Sequence, residues 1–235
     1  MNVIEWNLAG WADQLIKDGY AVLPELICEP EIQAVLNVLT QAGQRKGRAG
    51  MRHVLGLPEV RRMAESAAMM SVARKILGPG AVPFRATLFD KSPSSNWLVA
   101  WHQDTALPLC ERRETNGWGP WSTKDGILYA HAPAEALEKV VALRVHLDDS
   151  DSDNGPMRVL PGTHQQGVMS DSEIHKLAEK AEGVDCIAPR RSVVSMRPLV
   201  VHASSKAIKE KPRRVLHVEY AEGREVAPGM NLASA

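Results

Sequence analysis

The chain has 235 residues, and its 28 lysines and arginines balance 28 acidic residues, for a formal net charge of +0. That balance leaves no whole-chain electrostatic footprint for nucleic acid or an anionic membrane surface. No segment approaches the roughly 18 uncharged apolar residues of a membrane-spanning helix, and Cys28, Cys110 and Cys186 are too few and too scattered for a disulfide framework or a zinc knuckle.

The first residues, Met1 to Trp6, carry no basic stretch backed by an apolar run, so a soluble, cytoplasmic protein is expected. The length fits a single domain over 1-235. Residues 1-80 read as a helical scaffold. Apolar spacing near 3.6 predicts a helix over 6–18, followed by an extended segment at 19–24. A second helix is expected over 29–43, with Pro30 in its first turn and Ile32, Val35, Leu36 and Leu39 on one stripe. A third is expected over 58–77, stopped by Gly78-Pro79-Gly80.

Beyond Gly80 the pattern changes to short strands separated by turns, expected at 82–91, 98–105, 140–147, 157–160, 191–196, 199–203 and 213–220. This predicts a mainly β fold with N-terminal helices, its sandwich or jelly-roll core spanning 81-222. The long connection at 107-136 contains Trp118-Gly119-Pro120-Trp121 and Lys124-Asp125-Gly126, and is expected to be an active-site loop. Asn154-Gly155 and Pro161-Gly162-Thr163 read as turn chemistry.

The chemistry concentrates at Trp101-His102-Gln103-Asp104 and at His202. A His and a carboxylate two residues apart on an extended strand project from the same face. A second His from another strand then completes three ligands on one side of a metal, the pattern of non-haem Fe(II) oxygenases. His-x-Asp alone is weak evidence in a chain with 8 histidines. Alternation adds support: Arg85, Thr87, Phe89 and Lys91 share one strand face, Ala142, Arg144 and His146 a second, and Arg213, Val215, His217 and Glu219 a third. Polar groups facing inward make sense if they line a wet site. The same alternation turns Arg214 away if Arg213 points in. His53, His131, His164 and His175 read as ordinary histidines.

With Asn154 to His164, Val201-His202-Ala203-Ser204 and Pro212-Arg213-Arg214 following in order, the sequence resembles the phytanoyl-CoA dioxygenase family of Fe(II)/2-oxoglutarate oxygenases, from Gly19-Tyr20 through Tyr220. The resemblance implies a double-stranded β-helix, the jelly-roll core, with helices against one sheet. It implies Fe(II) held by His102, Asp104 and His202, with 2-oxoglutarate and O2 as co-substrates. Arg213, eleven positions after the distal His, and Ser204, two after it, would clamp the distal carboxylate of 2-oxoglutarate. Thr87 and Arg144 match positions that line the co-substrate pocket, although some relatives carry an aromatic residue in place of Arg144. Related halogenases replace the carboxylate ligand with a small residue. Asp104 is present, which favours hydroxylation.

The expected reaction is hydroxylation of a C–H bond of a small polar metabolite or natural product, releasing succinate and CO2. Substrate-side candidates are Trp118, Trp121, Lys91, Lys124, His146 and His217, the two tryptophans serving equally well as a hydrophobic staple for the loop. The competing readings are a catalytically idle binding module and a cupin-like metal enzyme without oxygenase activity. A monomer or homodimer with no nucleic-acid or membrane partner is expected.

Overall fold

The computed structural model describes residues 9–42, 50–91, 96–209 and 211–235. Helix α1 (Ala9–Asp18) leads into strand β1 (Tyr20–Leu23), and α2 (Glu29–Ala42) follows. The first residues of the helix expected over 6–18, and Gly43 at the end of the next, lie outside the described residues. Acidic Glu29 and Glu31 sit in the first turn of α2, where they favour the helix dipole, and Ile32, Val35, Leu36 and Leu39 form its buried stripe. After β2 (Gly50–Met51), the helix expected over 58–77 is two helices, α3 (Pro58–Ala64) and α4 (Ala67–Leu77). Ser66 makes the break: it adopts an extended backbone and its side chain accepts from the Met69 N–H, so a new N-terminus starts there.

The chain continues as β3 (Val82–Lys91), β4 (Val99–His102), β5 (Ala106–Leu109), β6 (Trp121–Lys124), β7 (Ile127–His131), α5 (Ala134–Leu137), β8 (Val140–His146) and β9 (Met157–Leu160). Then come α6 (Asp171–Ala178), β10 (Val184–Cys186), β11 (Val193–Met196), β12 (Val201–Ser204), β13 (Arg213–Ala221), β14 (Glu225–Ala227) and β15 (Met230–Asn231). Six strands form one antiparallel sheet in the order β1-β11-β8-β13-β3-β2, and four form a second in the order β10-β9-β12-β4. Tyr20, Ala142, Val194 and Met196 of the larger sheet share one buried cluster with Met157 and Val159 of the smaller, the two layers of a jelly roll.

The other face of the larger sheet presents Leu88, Val141, Leu143, Val145, Leu216 and Val218 to the helices, forming one core with Leu15, Ile32, Leu55, Val60 and Met69. Each fully buried side chain of this kind contributes about 1.5–3 kcal/mol. Tyr220 donates to the Ala64 carbonyl at 2.7 Å, tying α3 to β13. Among the described residues no helix is long and apolar enough to cross a membrane.

Two expectations need correction. The connection at 107-136 is not a loop: β5, β7 and β6 form a three-stranded antiparallel sheet. Asp125 and Gly126, at φ +50° and +82°, close the β6–β7 hairpin between the paired Lys124 and Ile127, as a two-residue primed turn requires. Helix α6 was not expected, although Ser170 and Glu173 form its capping box.

Candidate metal centre

Pairing of β4 with β12 sets His102 directly opposite His202, and their rings lie 4.2 Å apart between centroids. Asp104 follows the end of β4, held by its N–H donating to the Pro198 carbonyl at 2.9 Å. Its carboxylate oxygens stand 3.7 Å from His102 Nε2 and 3.6 Å from His202 Nε2. One ligand atom from each of the three lies within 4.8 Å of the others, the only such group found among the described residues.

Both imidazoles are oriented by the backbone. His102 Nδ1 lies 2.8 Å from the Ala100 carbonyl and His202 Nδ1 lies 3.0 Å from the Val200 carbonyl. A carbonyl only accepts, so each Nδ1 carries a proton, and in the neutral tautomer that this bond selects Nε2 presents its lone pair to a metal. Burial pushes His202 down to about 4 against the pull of Asp104, which leaves it neutral near pH 7. Burial would raise Asp104, but His202 and His102 outweigh it and hold the carboxyl well below its usual range. Two neutral imidazole nitrogens and one carboxylate oxygen are a donor set that fits Fe(II).

Gln103, between the two ligands, points the opposite way. Its side chain donates to the Gly167 and Leu199 carbonyls at 2.9 and 2.8 Å and accepts from the Met169 N–H at 2.8 Å. These bonds fix which neighbours turn toward the metal position. Sequence reasoning gave Gln103 no role, because its partners are distant in the chain.

The inner face of the larger sheet forms the opposite wall. His217 pairs with both Thr87 and Arg144, Val215 with Phe89 and His146, and Arg213 with Lys91. The three faces read separately from alternation are therefore one surface. Arg144 donates to His217 Nδ1 at 2.9 Å and lies over the Phe89 ring. Thr87 faces inward opposite His217 and, among the described residues, makes no side-chain hydrogen bond. Phe89, Trp97, Val99 and Met157 line the cleft from the metal position to Arg213; alternation puts Phe89 on an inward face, and the other three are not singled out in the sequence.

At the inner end, Arg213 is 3% exposed and its Nη2 is 3.4 Å from Ser204 Oγ. Arg214 turns outward and pairs with Asp148 through two contacts of 2.8 Å. Lys91, expected beside the substrate, lies at this inner end, donating to Ser204 Oγ at 2.7 Å and to the Ser205 carbonyl. His146 belongs to the same end: it is 2% exposed, and burial, with Arg144 and Arg213 nearby, pushes it down to about 3. His217 is also enclosed, 4% exposed between Arg144 and the Phe89 ring edge. Trp118 and Trp121 pack on the apolar cluster of Leu107, Leu109, Ala130 and Met230.

The outer side is polar. Arg85 Nη2 donates to Glu219 Oε1 at 2.6 Å, and its Nε donates to the other oxygen. The Arg85 guanidinium lies 5.5 Å from the centroid of the Tyr129 ring, and Lys124 Nζ lies 5.1 Å from it. Tyr129 OH bonds His53 Nε2 at 2.9 Å, giving a partner to a histidine that no spacing in the sequence distinguished.

The phytanoyl-CoA dioxygenase family model matches residues 16–215. L-proline trans-4-hydroxylase of Streptomyces griseoviridis is 22% identical over 242 aligned positions, covering 87% of this chain and 82% of the relative. The epimerase SnoN from nogalamycin biosynthesis, solved with Fe3+, alpha ketoglutarate and nogalamycin RO, superposes with a TM-score of 0.70 at 17% identity over 91% of this chain and 83% of its own. EctD from S. alaskensis, solved with 2-oxoglutarate and 5-hydroxyectoine, gives 0.67 at 19% identity over 92% and 78%.

Proposed function

The chain belongs to the phytanoyl-CoA dioxygenase family of Fe(II)- and 2-oxoglutarate-dependent oxygenases, and from that premise we propose that His102, Asp104 and His202 hold the iron. Arg213 and Ser204 receive the distal carboxylate of 2-oxoglutarate, and a small polar metabolite is hydroxylated at a C–H bond. Bound Fe(II) supplies the redox chemistry that couples oxidative decarboxylation of 2-oxoglutarate by O2 to oxidation of the substrate. The protein supplies placement, since misplacement on the ångström scale is costly.

The observation that carries this reading is the convergence of Asp104 with two Nε2 atoms whose Nδ1 partners are backbone carbonyls. At the far end of the same cleft, Arg213 offers a guanidinium with no carboxylate partner among the described residues. Bidentate, charge-assisted bonds to a ligand carboxylate suit that group. Arg144 and Phe89 wall the space between the two ends, and His217 is held against Arg144. Arg85 and Lys124 bring positive charge near Asp104, which favours a small polar substrate. The L-proline hydroxylase relative acts on a molecule of that kind.

The test is succinate formation from 2-oxoglutarate with Fe(II), ascorbate and a panel of free amino acids and other small polar metabolites. One member is expected to stimulate succinate release in proportion to a hydroxylated product. Turnover supported by zinc but not by Fe(II) with 2-oxoglutarate would contradict the reading.

A further inference from the structure

Lys91 closes β3 directly opposite Arg213 of β13. The two side chains are 1% and 3% exposed. Long cationic residues are almost never buried to this degree unless paired. Yet among the described residues neither has a carboxylate partner. Both converge on one hydroxyl: Lys91 Nζ donates to Ser204 Oγ at 2.7 Å, and Arg213 Nη2 approaches the same oxygen at 3.4 Å. Ser204 Oγ donates to the Gly155 carbonyl at 3.1 Å, leaving its lone pairs toward the two cations.

The backbone around this end is shaped closely to Lys91. Gly155 has φ +68°, and a Cβ placed on it would lie 2.4 Å from the Ser205 carbonyl oxygen and 3.1 Å from Lys91 Nζ. Only glycine fits there. The Trp97 ring lies 5.4 Å from Nζ on another side. Such enclosure holds two like charges side by side, an arrangement that costs stability until an anion joins it. Burial and Arg213 push Lys91 down to about 7, and burial and Arg144 push Arg213 down to about 10.

Resting on the reading of Arg213 and Ser204 as the co-substrate clamp, we infer that Lys91 is a second cation for the distal carboxylate, so that two charges together select a dianionic 2-oxoacid. Lys91 is then a binding residue for 2-oxoglutarate at the inner end of the cleft. A pH dependence follows. The groups facing Nζ are Arg213 from β13, Ser204 and the Ser205 carbonyl at the end of β12, the Trp97 ring and the Gly155 backbone; among the described residues none is acidic. An arriving carboxylate favours protonated Lys91 and raises it. Affinity is therefore greatest below about 7, where Lys91 already carries its proton. Above that it falls by up to about tenfold per pH unit.

The experiment is anaerobic calorimetry with Mn(II) in place of Fe(II), so that binding is read without turnover. The ligands are 2-oxoglutarate and 2-oxopentanoate, a 2-oxoacid of the same chain length without the distal carboxylate. Lys91→Met is expected to weaken 2-oxoglutarate by roughly 10- to 100-fold, to leave 2-oxopentanoate within about twofold, and to abolish the decline between about pH 7 and pH 9. Lys91→Arg should keep most of the affinity but lose that decline, because a guanidinium does not titrate there. Equal weakening of both ligands by Lys91→Met, or no weakening of either, overturns the inference. If that variant does not fold, the wild-type pH profile and Lys91→Arg decide it: a decline retained in Lys91→Arg also overturns it. Failure of the clamp reading is distinct, since the wild type would then bind the two ligands equally.

Discussion

Two arginines on the inner face of the same sheet, Arg85 and Arg213, meet different fates. Arg85 faces Glu219 across the β3–β13 pair and makes two contacts with its carboxylate. Burial works against the Arg85 charge, but Glu219 outweighs it and pushes the guanidinium above its ordinary value. Among the described residues Arg213 has a shared serine hydroxyl and two other cations, Lys91 and Arg144, near it. The fold therefore completes the charge at the outer end and leaves it incomplete at the inner end. A buried charge without a partner marks where a ligand supplies one.

The comparison can be broken most forcefully at Glu219. Glu219→Leu strands Arg85 without its carboxylate and should cost about 3–5 kcal/mol, read as a lower urea midpoint. A smaller loss would mean that Arg85 is as self-sufficient as Arg213. Arg213→Leu should behave in the opposite sense. Its unfolding free energy should not fall, while 2-oxoglutarate binding to the Mn(II) form weakens on the order of 100-fold, about 2.7 kcal/mol. A loss of stability with unchanged binding would assign Arg213 a structural role. The smallest effect belongs to Arg214, on the outer face with Asp148, its side chain 29% exposed. Arg214→Ala should cost at most about 1 kcal/mol and leave co-substrate affinity unchanged, which calorimetry checks directly.

Much of this contrast was legible in residue order alone. Alternation along β3, β8 and β13 placed Arg85, Thr87, Arg144, Arg213 and His217 on inward faces, while Arg213 and Ser204 were singled out by the family resemblance, through its offsets from His202. Cross-strand register was not legible. Alternation alone does not say that Lys91 lies opposite Arg213, or Arg85 opposite Glu219, so the closeness of Lys91 to Arg213 and Ser204 was not foreseen. The faces of Trp118 and Trp121 were equally hidden, because aromatic identity does not tell a pocket wall from a staple. The three-stranded sheet of β5, β6 and β7 reads in the sequence as a connection, although Asp125-Gly126 carries the hairpin signal.

The most direct test of the central claim is an anaerobic titration of Fe(II) into the apoprotein with excess 2-oxoglutarate, following the visible charge-transfer absorption of the iron–oxoacid chelate. The wild type should reach its full band at one equivalent of Fe(II), and His202→Ala, folded as judged by circular dichroism, should give none. A band of undiminished intensity in His202→Ala, or its absence from the wild type, would contradict the assignment of His102, Asp104 and His202 as the iron site.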